Sequence, residues 1–327
     1  MKATIKLFVL ALLSSSVAFA AQGTFDRTLQ VSGPVDLQVS TGSGHIHITP
    51  GSGNQVQVHA VVRANEGISN WFGGGGRLSP QEKVQRLQQN PPIEQAGNNI
   101  RIGRIEDPDL RNNISIDYDL TVPQATRVTS STGSGDQDVR GVQGPADVRT
   151  GSGNLTIANI GGEVHATSGS GDLTINDIKA GVRASTGSGG IRGDGIGGSI
   201  EASTGSGDIR MRQTSAGNVR ARTGSGDLEL HGVNGSLTVT TGSGDVRADG
   251  TPSADWRVDT GSGTVTLDLP QQAGYEVYAR TSSGRISVDA PMTNQEMSNR
   301  GRELRGTVRG GGHLLDLHTG SGDIRVR

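Results

Sequence analysis

Carboxylates at fixed spacing are the first candidates for chemistry in this sequence. An Asp directly follows a Gly-Ser-Gly triplet at Asp136, Asp172, Asp208, Asp227, Asp245 and Asp323, with Asn154, Gly190 and Thr264 interrupting the series. Stacked carboxylates invite a calcium reading for Asp136, Asp172, Asp208, Asp227 and Asp245, because Ca²⁺ takes about six to eight oxygen ligands. The calcium-binding nonapeptide of β-rolls, Gly-Gly-x-Gly-x-Asp, sets its Asp two positions after a motif Gly. Here Asp follows Gly at once and Gly190 breaks the ladder. The spacing therefore predicts a turn role, in which Asp bonds backbone amides of its turn and pairs with nearby Arg. No metal and no cofactor is expected.

Clustered carboxylates also serve sugar cleavage, which needs two carboxyls about 5–10 Å apart in a cleft. From 132 to 263 the chain has no room for a long loop that could wall one. Other catalytic signatures are missing: there is no His-Glu-x-x-His, no Gly-x-x-x-x-Gly-Lys and no Gly-x-Ser-x-Gly. Gly193-Asp194-Gly195-Ile196-Gly197-Gly198 matches the dinucleotide pattern, but no helix can follow it within the repeat, so it reads as coincidence. His45 and His47 alternate on one strand face without a nearby third ligand, which reads as a solvated face. Trp71 and Phe72 precede four glycines. They read as a plug folded back on one end of the molecule, or as an exposed anchor for a partner.

Arg is frequent at expected outward positions: Arg149, Arg183, Arg210, Arg220, Arg222 and Arg247. Interleaved with Asp and Glu, these predict a mutually paired, solvated surface. One outward row reads His165, Arg183, Glu201, Arg220, Thr238. That is too mixed for an ordered-water or polymer-matching face.

The elements that must position these residues come from a repeat. Thr-Gly-Ser-Gly begins at Thr132, Thr150, Thr186, Thr204, Thr223, Thr241, Thr260 and Thr319, and at Ser168 with Ser for Thr. From 132 to 260 successive starts differ by 18 or 19 residues. Thr41-Gly42-Ser43-Gly44 and Thr281-Ser282-Ser283-Gly284 look like the same turn in less regular units. Within one unit, Leu173-Thr174-Ile175 alternates apolar and polar, Asn176-Asp177 starts a bend, and Ile178 returns inward. Lys179-Ala180-Gly181 then turns, and Val182 to Thr186 alternates again. Two strands and two tight turns leave no residues for a helix.

Such a unit cannot fold alone. Each larger buried side chain contributes roughly 1.5–3 kcal/mol, whereas fixing each residue's backbone costs about 1–2 kcal/mol. The deficit closes only if units stack and share one core. The apolar set recurs accordingly, as Leu155, Ile157, Ile160, Val164, Ala166 and again as Leu228, Leu230, Val233, Leu237, Val239. The expected fold is all-β, a β-solenoid or β-helix of roughly 18-residue coils. At about 4.8 Å per coil, the seven or eight regular coils make a rod of roughly 35–40 Å.

Three segments follow. Residues 1–20 read as a signal peptide, with Lys2 and Lys6, an apolar Leu7–Leu13 run and an Ala18-Phe19-Ala20 cleavage site. Residues 21–131 hold N-terminal strands and a small helix-containing insertion between Asn65 and Asn99. Its short helix, about 80–89, is signalled by Ser79, Pro80 and Glu82 and stopped by Asn90-Pro91-Pro92. This insertion is expected to cap one end of the rod. Residues 132–327 form the repeat region, irregular after 264. Of the 327 residues 52 are Gly and none is Cys, and the net charge is −2. This excludes disulfides and thiolate metal sites and indicates neither a basic surface for a polyanion such as nucleic acid nor a charge-expanded disordered chain. Beyond the first twenty residues no apolar run is long enough for a transmembrane helix.

The export signal, the recurring Thr-Gly-Ser-Gly-Asp with its aliphatic strand, and the strand Tyr118-Asp119-Leu120-Thr121-Val122-Pro123 resemble a bacterial family. It is a β-strand-repeat domain of unknown function named for adhesins, the adhesin domain-containing proteins. The resemblance covers about residues 25–327 and implies a solenoid-like domain in envelope-associated proteins, with no catalytic residues to carry over. The expected function is a non-catalytic exported protein of the periplasm, outer surface or medium. It would be an adhesin or interaction scaffold whose partner is an envelope or cell-surface protein or glycan. The alternatives are a polysaccharide-acting β-helix enzyme and a calcium-binding β-roll-like structural protein.

Overall fold

The computed structural model describes residues 21–65 and 78–327. The expected signal peptide, and Trp71 and Phe72, lie outside the described residues. The protein is all-β, with its strands joined in one large solenoid-like sheet. Strands that lead into each Gly-Ser-Gly turn stack in parallel as one face, here the approach face. They include Val164–Ser170, Val182–Ser188, Ile200–Ser206 and Val219–Ser225. Strands that leave the turns stack as the departure face, among them Leu155–Ile160, Leu173–Ile178 and Ile191–Ile196.

Register follows the repeat. Val164 pairs with Val182, Val182 with Ile200 and Ile200 with Val219. On the other face Leu155 pairs with Leu173 and Leu173 with Ile191. Like therefore lies on like, and the inward members Leu155, Ile157, Ile160, Val164 and Ala166 are all buried. Ladders of like aliphatic side chains, Val or Ile on one face and Leu or Ile on the other, form the core.

The turn explains its own residues. The motif Thr points inward and, except at Thr241, its hydroxyl in the regular coils donates to the carbonyl of the second motif Gly in a neighbouring coil: Thr186 to Gly171 (2.9 Å), Thr204 to Gly189 (2.9 Å), Thr319 to Gly263 (2.9 Å). Ser168 does the same to Gly153 at 3.0 Å, which is why Ser replaces Thr there without loss. Gly189 has φ +142°, and a Cβ on it would collide with the Gly171 carbonyl oxygen. The Gly is required by both backbone angle and coil spacing. The departure strand also takes positive φ one residue before its end, at Asn159 (57°) and Asp177 (55°), residue types that tolerate it.

Both ends depart from chain order. The coil Val35–Ser43 and Ile46–Gly51 stacks on 126–140, with Val39 paired to Ser130 and Ile48 to Val139. Beyond it lie Asn99–Ile102 and Ile114–Pro123, and then antiparallel strands Ile93–Ala96, Gln55–Ala64 and Ala21–Gln30. The helix Pro80–Gln89 begins at a capping box: Ser79 Oγ accepts from the Glu82 amide and Glu82 Oε2 from the Ser79 amide. Val84 and Leu87 are buried, and Val84 occupies the space a Cβ on Gly23 would need.

At the other end the last coil of the chain is not the last layer. His313–Ser321 pairs with Val246–Ser262 on one side and with Tyr275–Ser283 on the other. Ile324–Val326 is likewise held between Val265–Asp268 and Ile286–Val288. The repeat spacing predicts only an irregular end after 264. The structure instead inserts the terminal coil between two earlier ones. Glu303–Val308 and then Met292–Ser298 close the approach face as antiparallel strands.

Candidate functional site

The Asp residues that follow the turn are spoken for by the backbone. Asp136 Oδ1 accepts from the Asn154 amide (2.7 Å), Asn154 Oδ1 from Asp172 (2.9 Å) and Asp172 Oδ1 from Gly190 (2.7 Å). Asp208 accepts from Asp227 (3.0 Å), Asp227 from Asp245 (2.8 Å) and Asp245 from Thr264 (2.7 Å). These amides belong to the next coil and not to the residue's own turn, where the sequence reading placed them. Stacking in register brings each amide under the side chain one layer away. The ladder breaks where Gly190 offers Asp208 no acceptor. Among the described residues no group of three or more His, Asp or Glu is arranged to hold a metal ion.

The histidines divide. His45 sits in a turn, its amide donating to Asp117 (3.0 Å) and its Nδ1 accepting from the Asp136 amide (3.3 Å). His47 faces Asp138 at 3.7 Å. The two therefore point to different partners. His231, which sequence reasoning did not single out, lies between Asp249 (2.5 Å) and Glu229 (3.0 Å). Burial works against the Asp249 carboxylate, but the Gly232 amide and His231 outweigh it and hold its pKa below the usual range. The signal was a period-two Glu229-x-His231 one coil below Asp249, visible only once register is known.

Outward Arg residues mostly have acids at hand. Arg149 meets Asp147 (2.7 Å), Arg183 meets Glu201 (2.9 Å), Arg210 meets Asp208 (3.2 Å) and Arg247 meets Asp268 (2.7 Å). Such exposed pairs are each worth little, but they neutralise the surface locally. Arg220 and Arg222 differ. Both are exposed on the approach face of Val219–Ser225, and neither has a carboxylate within ion-pair distance among the described residues.

The expected outward row is continuous: His165 pairs with Arg183, Arg183 with Glu201, Glu201 with Arg220 and Arg220 with Thr238. Beside it runs an open hollow of about 330 Å³, lined by Val182, Ile200 and Val219, by Ser199, Asn218 and Ser236, and by Glu163 and Glu201. Farther along the same face Tyr278 is the one Phe, Tyr or Trp among the described residues that is not buried. Its ring lies under the Arg305 guanidinium at 4.5 Å and edge-on to His318 at 5.4 Å.

No curated protein matches the sequence. Among solved structures it is similar to a "putative lipid binding protein" from Parabacteroides distasonis, at 10% identity and TM-score 0.32, over 93% of this chain and 96% of that one. It is also similar to a "putative adhesin" from Bacteroides fragilis, at 10% identity and TM-score 0.28, over 93% and 97%. A third is a "putative cell adhesion protein" from Clostridium sporogenes, at 11% identity and TM-score 0.21, over 93% and 99%. At such scores none of the three bears on what this chain does. The family model described as Toastrack DUF4097 matches twice, over residues 35–195 and 162–327, and together these cover the stacked repeats from one end to the other. The chain belongs to the Toastrack DUF4097 family.

Proposed function

We propose that this protein is an exported, non-catalytic interaction scaffold of the bacterial envelope or cell surface, adhesin-like in use. In this reading it is a β-solenoid of roughly 18-residue coils, with its helix-bearing N-terminal insertion as a cap. The observation that carries the reading is the shortness of the connections. From Thr126 to Asp268 no linker between consecutive strands exceeds five residues, so no loop rises above the sheet to wall a cleft. Most carboxylates on that surface are engaged by amides or by Arg, which leaves them poorly placed for paired acid–base work. What the fold presents is a long, rigid, polar surface with regular spacing.

The test is binding of purified, fluorescently labelled protein to whole bacterial cells and to isolated envelope, with polysaccharide turnover assayed in parallel. Saturable binding without release of sugar products is expected. Failure to bind cells, glycans or envelope proteins, or turnover of a polysaccharide, overturns the reading. Detection of the chain in the cytoplasmic fraction alone overturns the export component.

A further inference from the structure

Resting on the scaffold reading, we infer that the approach face around Arg220 and Arg222 is a binding site for an acidic polysaccharide. The two guanidiniums project from one strand with a buried Ala221 between them, so their Cα atoms stand about 6.6 Å apart on one face. Flanking strands place Glu201 and Ser203 on one side and Thr238 and Thr240 on the other. Glu201 is taken by Arg183 at 2.9 Å. Arg220 thus has Thr238 on one side and the already paired Glu201 on the other, Arg222 has Ser203 and Thr240, and neither has a carboxylate in ion-pair reach among the described residues.

This is unusual for the region. Arg140, Arg149, Arg183, Arg210, Arg212, Arg247 and Arg257 each lie within 4.0 Å of an Asp or Glu. Acids also outnumber bases from 132 to 269, so two adjacent unpaired cations are not a shortage of partners. A planar guanidinium left free in this way matches a carboxylate, sulfate or phosphate bidentately.

The hollow beside Arg220 decides the class of ligand. It runs along the stack past Arg183, Ser199, Asn218, Arg220, Ser236 and Thr238, with Glu201 held by Arg183 and Glu163 in the coil farthest from Arg220, offering hydroxyl, amide and guanidinium groups over several coils. No exposed aromatic or large aliphatic side chain stands on this stretch. A protein partner would need a desolvated apolar centre, and a bilayer would need an apolar face to enter it. A hydrated, polyhydroxylated chain bearing anionic groups needs neither. Successive layers about 4.8 Å apart let it lie along the axis and meet a new hydroxyl or amide at each coil.

The experiment titrates the full chain with polygalacturonate, heparin and neutral dextran by calorimetry, for the parent, R220Q/R222Q and R192Q. Arg192 is also exposed and free of an ion pair but lies on the departure face. The parent should bind at least one of the two acidic polymers and not dextran. R220Q/R222Q should bind at least tenfold more weakly with an unchanged melting temperature, and R192Q should stay within twofold of the parent. No binding to either acidic polymer, equal binding by R220Q/R222Q, or an equal loss in R192Q overturns the proposal. Binding to anionic vesicles that R220Q/R222Q abolishes, without binding to either polymer, also overturns it. If labelled R220Q/R222Q coats cells as well as the parent, this inference falls and the scaffold reading stands. If the parent coats no cells, the scaffold reading falls.

Discussion

In Gly190→Asn, an amide side chain enters the turn row at the position where the Asp ladder is interrupted. Gly190 has no positive φ, and a Cβ on it would find Asp208 O at 3.5 Å and Asp172 Oδ1 at 3.7 Å, ordinary contact. The neighbouring coils show what the new side chain would do, since Asn154 already accepts from the Asp172 amide at 2.9 Å. Asn is preferred to Asp because Asp172 and Asp208 lie directly above and below. A half-exposed hydrogen bond contributes about 0.5–1 kcal/mol, and removing a Gly from the unfolded ensemble adds about 0.4–1 kcal/mol. The sum, about 1–2 kcal/mol, divided by an unfolding entropy of about 2.1 cal/mol/K per residue over roughly 300 residues, raises Tm by about 1.5–3 °C. The adjacent Gly189→Ala has the opposite sign. Its φ of +142° and the Gly171 carbonyl in the path of its Cβ cost on the order of 3 kcal/mol. Far-UV circular dichroism melts of parent and both variants measure the pair. A Gly190→Asn protein that melts no higher than the parent, or a Gly189→Ala protein that melts with it, refutes the account of the turn.

Further outcomes follow from the same contacts. Thr241 Oγ1 is buried without a partner, whereas Thr204 donates to Gly189 at 2.9 Å. Thr241→Val should therefore be neutral or stabilising and Thr204→Val should cost about 1 kcal/mol, as read by chemical denaturation; equal effects would count against the assignment. The Arg285 amide, helped by Arg325, holds Asp323 below the usual carboxylate range, and Asp249 is lowered as described. Groups lowered in the fold stabilise it above their unfolded pKa of about 3.9 and lose that contribution as pH falls through the lower folded values. Tm should be level near neutrality and drop below about pH 4, and less steeply in Asp249→Asn/Asp323→Asn; an unchanged slope would contradict the assignment. Truncation after Gly312 removes a middle layer, so limited proteolysis should cut throughout 270–312; protection of Tyr275–Ser283 in the truncated chain would contradict the observed layer order.

Much of the candidate site can be read from the sequence, but not its pairing state. Alternation puts Arg183, Glu201, Arg220 and Thr238 outward, and the structure keeps them in one row. Pattern alone gives no sign that Glu201 turns to Arg183 and leaves Arg220 free, because that depends on rotamers across neighbouring coils. The Asp ladder shows the same limit. Its residues are conspicuous in sequence, yet the amides they bond lie 18 or 19 positions away. The roles of His231 and Trp256 are illegible in sequence for a related reason. The Trp256 indole NH reaches the Gly235 carbonyl at 2.9 Å, a contact that exists only after two coils are stacked.

By itself the chain's order of residues determines everything local: which side chains face in, where the backbone must take positive φ, and that no unit is stable without a neighbour. It leaves open which unit neighbours which. Thr260, Thr281 and Thr319 head nearly equivalent turns, and any one of them stacks acceptably on any other. The tertiary structure seats Thr319 between the other two, and at the far end seats 35–51 between 126–140 and the strands at 99–102 and 114–123. Interchangeable repeats carry the same pairing energy in several orders. The choice therefore falls to what is not repeated: the antiparallel strands that flank the stack and the helix Pro80–Gln89.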